Sequence, residues 1–424
     1  MSANRGLRTS LLGIVACTAL ILAGCSGGGG SSSGEKPTLT MWVQTDPNYE
    51  VMAQQEAAEY ETATGVHIEL SYVPWAEFGA KLTAAFNAGS QPDLIEGVAA
   101  WVYGPKTGGQ LSQLPDDLGS KMSEIADASQ VPVEWEGEYY GMPLNVNIDG
   151  GPLTLYSVDA FQEAGITPQW SNWDAYVADM QKLTTTSNGE ITRSGIEMVG
   201  GDQMVQFLNY FLQAGGTFYS ADKSSVQIDN NYGEVALQTM YDLLNTYEVD
   251  SSNLTDFVGV ASGTAASINY GPWYIAAAGA SFPDFKWGWA ELPLIPGSVG
   301  PYFPGTNVWA WMVPMDSQNK SAAWDYVRWL NGNEQRLAWS VQTGEIPAVK
   351  ALWSDPVVAN DPRWAPWLPF LDYQVALLDI GPQDAYSTSL NNMVMSVLLE
   401  QESIPAALET AQAELNQMLA GLPD

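Results

Sequence analysis

Past residue 25 the chain has no cysteine; its only two, Cys17 and Cys25, lie near the N-terminus. The body therefore holds no disulfide, no thiolate metal site and no cysteine nucleophile. Histidine is almost as scarce. His67 stands alone, so a Ser-His-Asp triad or a multi-histidine metal centre would have to use it. It falls in Val66-His67-Ile68-Glu69-Leu70-Ser71-Tyr72, where strand alternation puts Val66, Ile68, Leu70 and Tyr72 on one face and His67 on the polar one. A solvent-facing strand histidine is expected there, and neither a metal site nor a cofactor is expected. Basic residues are few: 15 Lys and Arg against 48 Asp and Glu, a formal charge of −33. Such a field makes nucleic acid and anionic lipid headgroups poor partners. Neutral or cationic ligands suit it better. A long apolar run is missing too, since Leu11 to Leu22 is too short for a permanent membrane span.

What stands around that short run is informative. Arg5 and Arg8 precede it, and Leu22-Ala23-Gly24-Cys25 and a Gly/Ser tract follow. A basic start, a short apolar core and small residues before a cleavage point describe an export signal. The cysteine directly after them resembles the bacterial lipobox. That resemblance implies a signal peptide over 1–24, a lipid on Cys25, and a tether over 25–35 holding the body at the extracytoplasmic face of a cell membrane; the acidic character of the chain suits a Gram-positive envelope. Residues 26–34 are only Gly and Ser, a flexible reach of roughly 15–20 Å. Removal of the leader, which carries Arg5 and Arg8 and no acid, leaves about −35.

The remaining 400 or so residues exceed what one core usually organises, so two lobes are expected. Thr38 to Val43 reads as a strand, Tyr49 to Thr62 as a helix ended by Gly65, Val66 to Val73 as a second strand, Phe78 to Phe86 as a helix stopping at Gly89, and Leu94-Ile95 as a third strand. This alternation predicts an α/β lobe with a largely parallel sheet, whose ligands bind beyond the carboxyl ends of the strands. Gln44 and Asp46 follow the first strand and Trp101 follows the third; Asp46 also suits a helix cap. Breaks in the pattern occur at Asn145 to Pro152, at Pro301 to Gly305 and at Gly344 to Ala348, and are candidate crossings between lobes. Asn145, Asn147 and Asp149 lie at the first of them. The chain holds 17 Trp and 19 Tyr. Indole faces stack on the C–H faces of pyranose rings, so tryptophans on turns beside strands carry functional weight. Trp273 opens a helix directly after a short strand, and Asn307 and Trp309 begin another strand; Trp75 and Glu345 are further candidates.

Several segments in order carry a family resemblance: Trp42 in the first strand, Thr64-Gly65-Val66-His67-Ile68, Ala88 to Leu94, Tyr140-Gly141-Met142-Pro143, Leu155-Tyr156, Ser262 to Ala266, Gly271-Pro272-Trp273, Gly305-Thr306-Asn307, Ala322-Ala323-Trp324 and Gly344 to Ala348. Together they resemble the extracellular solute-binding lipoproteins of ATP-driven sugar importers, the maltose-binding-protein-like family. Tyr156-Ser157-Val158 departs from the Tyr-Asn-Lys-like run usual there. The resemblance implies a two-lobed periplasmic-binding-protein type II fold, each lobe an α/β sandwich, with the ligand in the cleft. Lobe one is expected at 36–148 and 304–340, and lobe two at 149–303 and 341–424. It further implies a monomer that is not an enzyme, captures a neutral sugar or oligosaccharide and delivers it to the permease of an ABC transporter. The ligand residues expected are Gln44, Asp46, Trp101, Asn145, Asn147, Asp149, Trp273, Asn307 and Trp309. Alternatives of other classes are the same architecture around a cationic solute such as a polyamine, caged by acids and aromatics, and a lipid-anchored glycoside hydrolase using two carboxylates.

Overall fold

A computed structural model describes residues 36–200, 203–254, 256–381 and 383–422. The expected signal peptide, Cys25 and the tether over 25–35 lie outside the described residues. The first strand, β1 (Thr38–Gln44), buries Leu39, Met41 and Val43 completely, as its alternation requires. Asp46 caps the helix that follows, α1 (Pro47–Thr64), its Oδ1 accepting from Asn48 N at 2.8 Å. Gly65, at φ 76°, ends α1 in the left-handed conformation that costs glycine least. Then come β2 (His67–Val73), α2 (Trp75–Ala88) and β3 (Leu94–Val98). β1 pairs in parallel with both β2 and β3, and His67 is exposed, bonded to Glu61 at 3.0 Å. The strand Trp309–Met312 returns much later to pair antiparallel with β3, and Met142–Pro143 completes the sheet at its edge. Helices α1, α2, Lys320–Leu330 and Asn333–Thr343 cover it, and the side chains between them form a first core.

A second core is built mostly by helices: Trp173–Leu183, Gln203–Gln213, Asn231–Tyr241, Gln383–Leu398 and Ile404–Ala420. Its strand Leu153–Ser157 is flanked on both sides by antiparallel partners, Ser267–Ile268 and Trp287–Glu291. This sheet is therefore antiparallel, unlike the β1–β2–β3 portion of the first. The chain passes between the two cores three times: after Leu144, before Trp309 and after Leu352. The passages are tied together. Asn145–Val146 pairs with Ile346–Pro347, and Phe303–Gly305 pairs with Gln374–Ala376. Val146, Ile148, Phe303, Ile346, Trp364 and Trp367 bury one another in a smaller core at this seam. The whole is the α/β, two-lobed architecture expected.

Candidate functional site

Between the two cores lies a cavity of about 500 Å³. One wall comes from the carboxyl end of β1 (Gln44, Asp46), the first turn of α1 (Asn48, Tyr49) and the first residue of α2 (Trp75); Phe257, Tyr270, Trp273 and Ala277 face it from the second lobe, with Gly200, Gln203, Val205 and Asn391. The crossings supply the floor: Asn147, Asp149, Asn307, Trp309, Thr343 and Glu345. The place is the one that the topology of a parallel sheet dictates. It gathers seven of the nine residues expected from the sequence, and Trp75 and Glu345 besides. Trp101 and Asn145 are not among its lining. Trp101 lies one layer behind, nearly parallel to Phe78 at 4.9 Å and edge-on to Trp75 at 4.7 Å, with its Nε1 donating to Asp384 Oδ1 at 3.3 Å. Asn145 is fully buried beneath, and its Oδ1 accepts from Trp309 N at 2.9 Å.

The aromatic groups form two opposed sets. Tyr49, Trp75 and Trp309 approach one another with ring centroids 4.7 Å apart for Tyr49–Trp309 and 6.3 Å for Trp75–Trp309. Opposite, Trp273 lies 5.7 Å from Phe257 at 19° and 5.2 Å from Tyr270. Trp75 is 44% exposed and Phe257 40%, so each set ends in an accessible rim. Trp273 Nε1 donates to Ile148 O at 2.9 Å, which fixes the indole to the first crossing.

The polar floor is largely self-bonded. Asn147 Oδ1 accepts from the backbone of Thr306 at 3.1 Å and Asn307 at 2.9 Å, and its Nδ2 donates to Asp149 Oδ1 at 3.1 Å. Asp149 Oδ2 accepts from Thr306 Oγ1 at 2.6 Å and Asn307 Nδ2 at 3.0 Å. Gln383 Nε2 adds bonds to Thr306 O at 3.0 Å and Asn307 Oδ1 at 2.6 Å. Burial raises the Asp149 carboxyl above its ordinary range, against the pull of the Thr306, Asn147 and Asn307 bonds. Glu345 is held differently. Tyr49 Oη donates to its Oε1 across 3.5 Å, and its Oε2 has no partner. Burial pushes the Glu345 carboxyl up to about 8, with the neighbouring Asp149 charge adding to the rise and the Asn145 amide and Tyr49 opposing it. Gln44 Oε1 is likewise buried without a partner. None of the cavity residues is Lys, Arg or His, and no group of three or more His, Asp or Glu among the described residues is placed to hold a metal ion.

Asn48, Tyr49, Phe257, Tyr270, Gln203 and Asn391 went unmarked in the sequence. For Asn48 and Tyr49 a signal existed: they open the helix after Asp46, at the carboxyl edge of the sheet. Gln203, which opens one helix, and Asn391, inside another, carry none, because they reach the cavity only through tertiary packing.

Known proteins resemble this chain in sequence and in fold. The family model for bacterial extracellular solute-binding proteins matches residues 47–337. A lactose-binding protein of Rhizobium radiobacter is 27% identical over 309 residues, covering 68% of this chain and 69% of that one. A maltotriose-binding protein of Pyrococcus abyssi is 23% identical over 76% of this chain and 69% of its own. Among solved structures, an ABC transporter solute-binding protein of Thermotoga lettingae bound with α-D-tagatose superposes with a TM-score of 0.76 at 24% identity, over 91% of this chain and all of that one. The GacH receptor of Streptomyces glaucescens, solved unliganded and with acarbose, gives 0.76 at 21% identity over 92% of this chain and all of its own. These structures share the two-lobed fold.

Proposed function

The chain belongs to the bacterial extracellular solute-binding proteins, and from that premise we propose that it captures a neutral sugar or short oligosaccharide between its lobes and presents it to the permease of an ABC importer. The observation that carries this reading is the pair of opposed aromatic sets, Tyr49–Trp75–Trp309 and Phe257–Tyr270–Trp273, above a floor of amides and carboxyls. Pyranose rings offer apolar C–H faces to the first and hydroxyls to the second. A volume of about 500 Å³ lies within the range of small-molecule sites. The lactose- and maltotriose-binding relatives support a saccharide as the solute. Ligand contact with both walls stabilises the closed arrangement of the lobes over any open one, which is what a permease can sense.

The proposed lobes are 36–148 with 304–340 and 149–303 with 341–424. Trp339, Ala348 and Leu352 pack in the first core, which favours drawing the last changeover after 352. The direct ligand contacts in this reading are Gln44, Asp46, Trp75, Trp273, Trp309 and Glu345, while Asn147, Asp149 and Asn307 shape the floor. The protein acts as a monomer anchored through a lipid on Cys25. Isothermal calorimetry with neutral saccharides and polyamines in parallel tests the solute class: saccharide binding at micromolar or tighter affinity is expected. Binding of polyamines alone, or saccharide turnover, would overturn the reading. Cys25→Ala should release the protein from the cell surface into the medium.

A further inference from the structure

The cavity is lined by three carboxyls that differ in how they are bonded. Among the described residues its acids are Asp46, Asp149 and Glu345, and none of its lining is basic. Three of the donors beside Glu345 are engaged within the protein: Trp273 Nε1 on Ile148 O, and the side-chain amides of Asn147 and Asn307 on Asp149. The acids differ in how they are used. Asp46 caps α1, and Asp149 takes three bonds from Asn147, Thr306 and Asn307. Glu345 is only 3% exposed, yet it lines the cavity with Oε2 unpartnered and Oε1 on a single long bond from Tyr49.

An ionised carboxylate there would be buried without a counter-ion. The groups that face Glu345 are Asp149 from the first crossing, Tyr49 from α1 and the Asn145 amide; Asp46, on the same wall, is also negative. The basic residue of the preceding helix, Arg336, is turned away to Asn331 Oδ1 and to the carbonyls of Pro143 and Leu144. Arg363 is paired with Asp361 and donates to Val341 O. Among the described residues no cationic side chain pairs with Glu345.

We propose that Glu345 meets the solute as a neutral carboxylic acid, donating its O–H to a saccharide oxygen, so that capture is tied to retention of one proton. This rests on the saccharide reading above. A protonated carboxyl supplies one donor and keeps an acceptor, so Glu345 can bond a saccharide hydroxyl in either direction without a buried charge. A bound sugar removes the remaining water from around Glu345 and so favours the uncharged form further. The ionisation point near 8 agrees with this. The sign follows: a ligand that needs the proton binds equally well while Glu345 stays protonated and more weakly once it ionises.

The test is calorimetry of the full chain with lactose, maltotriose and D-tagatose from pH 5.5 to 9.5, on wild type and on Glu345→Gln. A ¹³C NMR titration of glutamate carboxyls without ligand runs beside it. For whichever saccharide binds, Kd should be level to about pH 7.5 and then weaken by up to tenfold per pH unit above about 8. Glu345→Gln keeps a donor and cannot ionise, so whatever its affinity at pH 7 its Kd should show no pH dependence from pH 5.5 to 9.5. The carboxyl resonance lost in that variant should titrate near 8 in wild type. A flat wild-type profile with a bound saccharide overturns the proposal alone, and so does affinity that rises with pH, the mark of a ligand that donates to the carboxylate. Failure of every saccharide at every pH overturns the saccharide reading instead. The carboxyl titration then decides the protonation state by itself, and a midpoint below 6 overturns it.

Discussion

Trp273 gives the cavity a ring and no N–H, because Nε1 is bonded to Ile148 O at 2.9 Å. Its two roles can therefore be separated. Trp273→Ala removes both and should weaken saccharide binding by about 1–3 kcal/mol. Trp273→Phe keeps an aromatic face and loses the bond, so its affinity should fall by less than about 1 kcal/mol while its melting temperature drops. Calorimetry and thermal unfolding on both variants check this; wild-type affinity in the alanine variant would remove Trp273 from the site. Glu345 acts on stability with a definite sign. Burial pushes its folded carboxyl up to about 8, well above the ordinary glutamate value of about 4.3. Its contribution is fully present below the unfolded value and declines as the unfolded chain ionises. It is lost as pH rises through the folded value. Glu345→Gln should therefore match wild type near pH 4 and be more stable at pH 8, by no more than about 5 kcal/mol. Urea unfolding at the two pH values gives the difference. Asn147, Asp149 and Asn307 were legible as crossing residues from their irregular surroundings. Their bonding to one another was not, since it depends on two segments some 160 residues apart meeting at Thr306 and Asn307.

At the scale of elements, the β1–α1–β2–α2–β3 run was legible because every signal in it is local: alternation in the strands, an Asp46 cap, and glycines after each helix. The antiparallel sheet of the second lobe was not, because the partners of Leu153–Ser157 come from residues 267–268 and 287–291, and no short-range pattern encodes that pairing. Trp101 shows a subtler gap. It follows β3 as expected, but the 3₁₀ turn Ala99–Val102 sets its ring against Phe78 and directs Nε1 at Asp384. Trp101 belongs to the first core, while Asp384 opens the helix Gln383–Leu398, whose Leu390 and Val394 belong to the second. The bond thus joins the lobes behind the cavity tryptophans. Trp101→Phe preserves the contact with Phe78 and deletes the bond. It should weaken binding by about 0.5–1.5 kcal/mol with a smaller effect on melting, because the loss falls on the joined arrangement rather than on either core. Calorimetry against thermal unfolding separates the two; equal losses in both would assign Trp101 a purely structural role.

At the scale of the whole molecule, three chain passages meet at one seam, and the cavity takes residues from both sides of it. A ligand can touch both aromatic sets only when the lobes are close, so binding energy is available to hold them there. The approach between the lobes is tight at Gly344, eight residues before the third passage. Its φ of 82° lies in the left-handed region, and a Cβ added there would stand 3.0 Å from Ala276 Cβ and 3.2 Å from Trp273 Cα. Both neighbours sit on the helix Trp273–Gly279 of the second lobe, whereas Gly344 directly follows Asn333–Thr343 of the first. Gly344→Ala combines backbone strain with a wedge between the lobes. It should weaken saccharide binding at least tenfold, about 1.4 kcal/mol. Small-angle scattering should show the wild-type radius of gyration shrinking on addition of saccharide, with a smaller contraction in the variant at matched occupancy. A wild-type radius indifferent to ligand would argue against lobe closure altogether. A variant that binds and contracts like wild type would show that the Gly344 approach is not where the lobes meet under load.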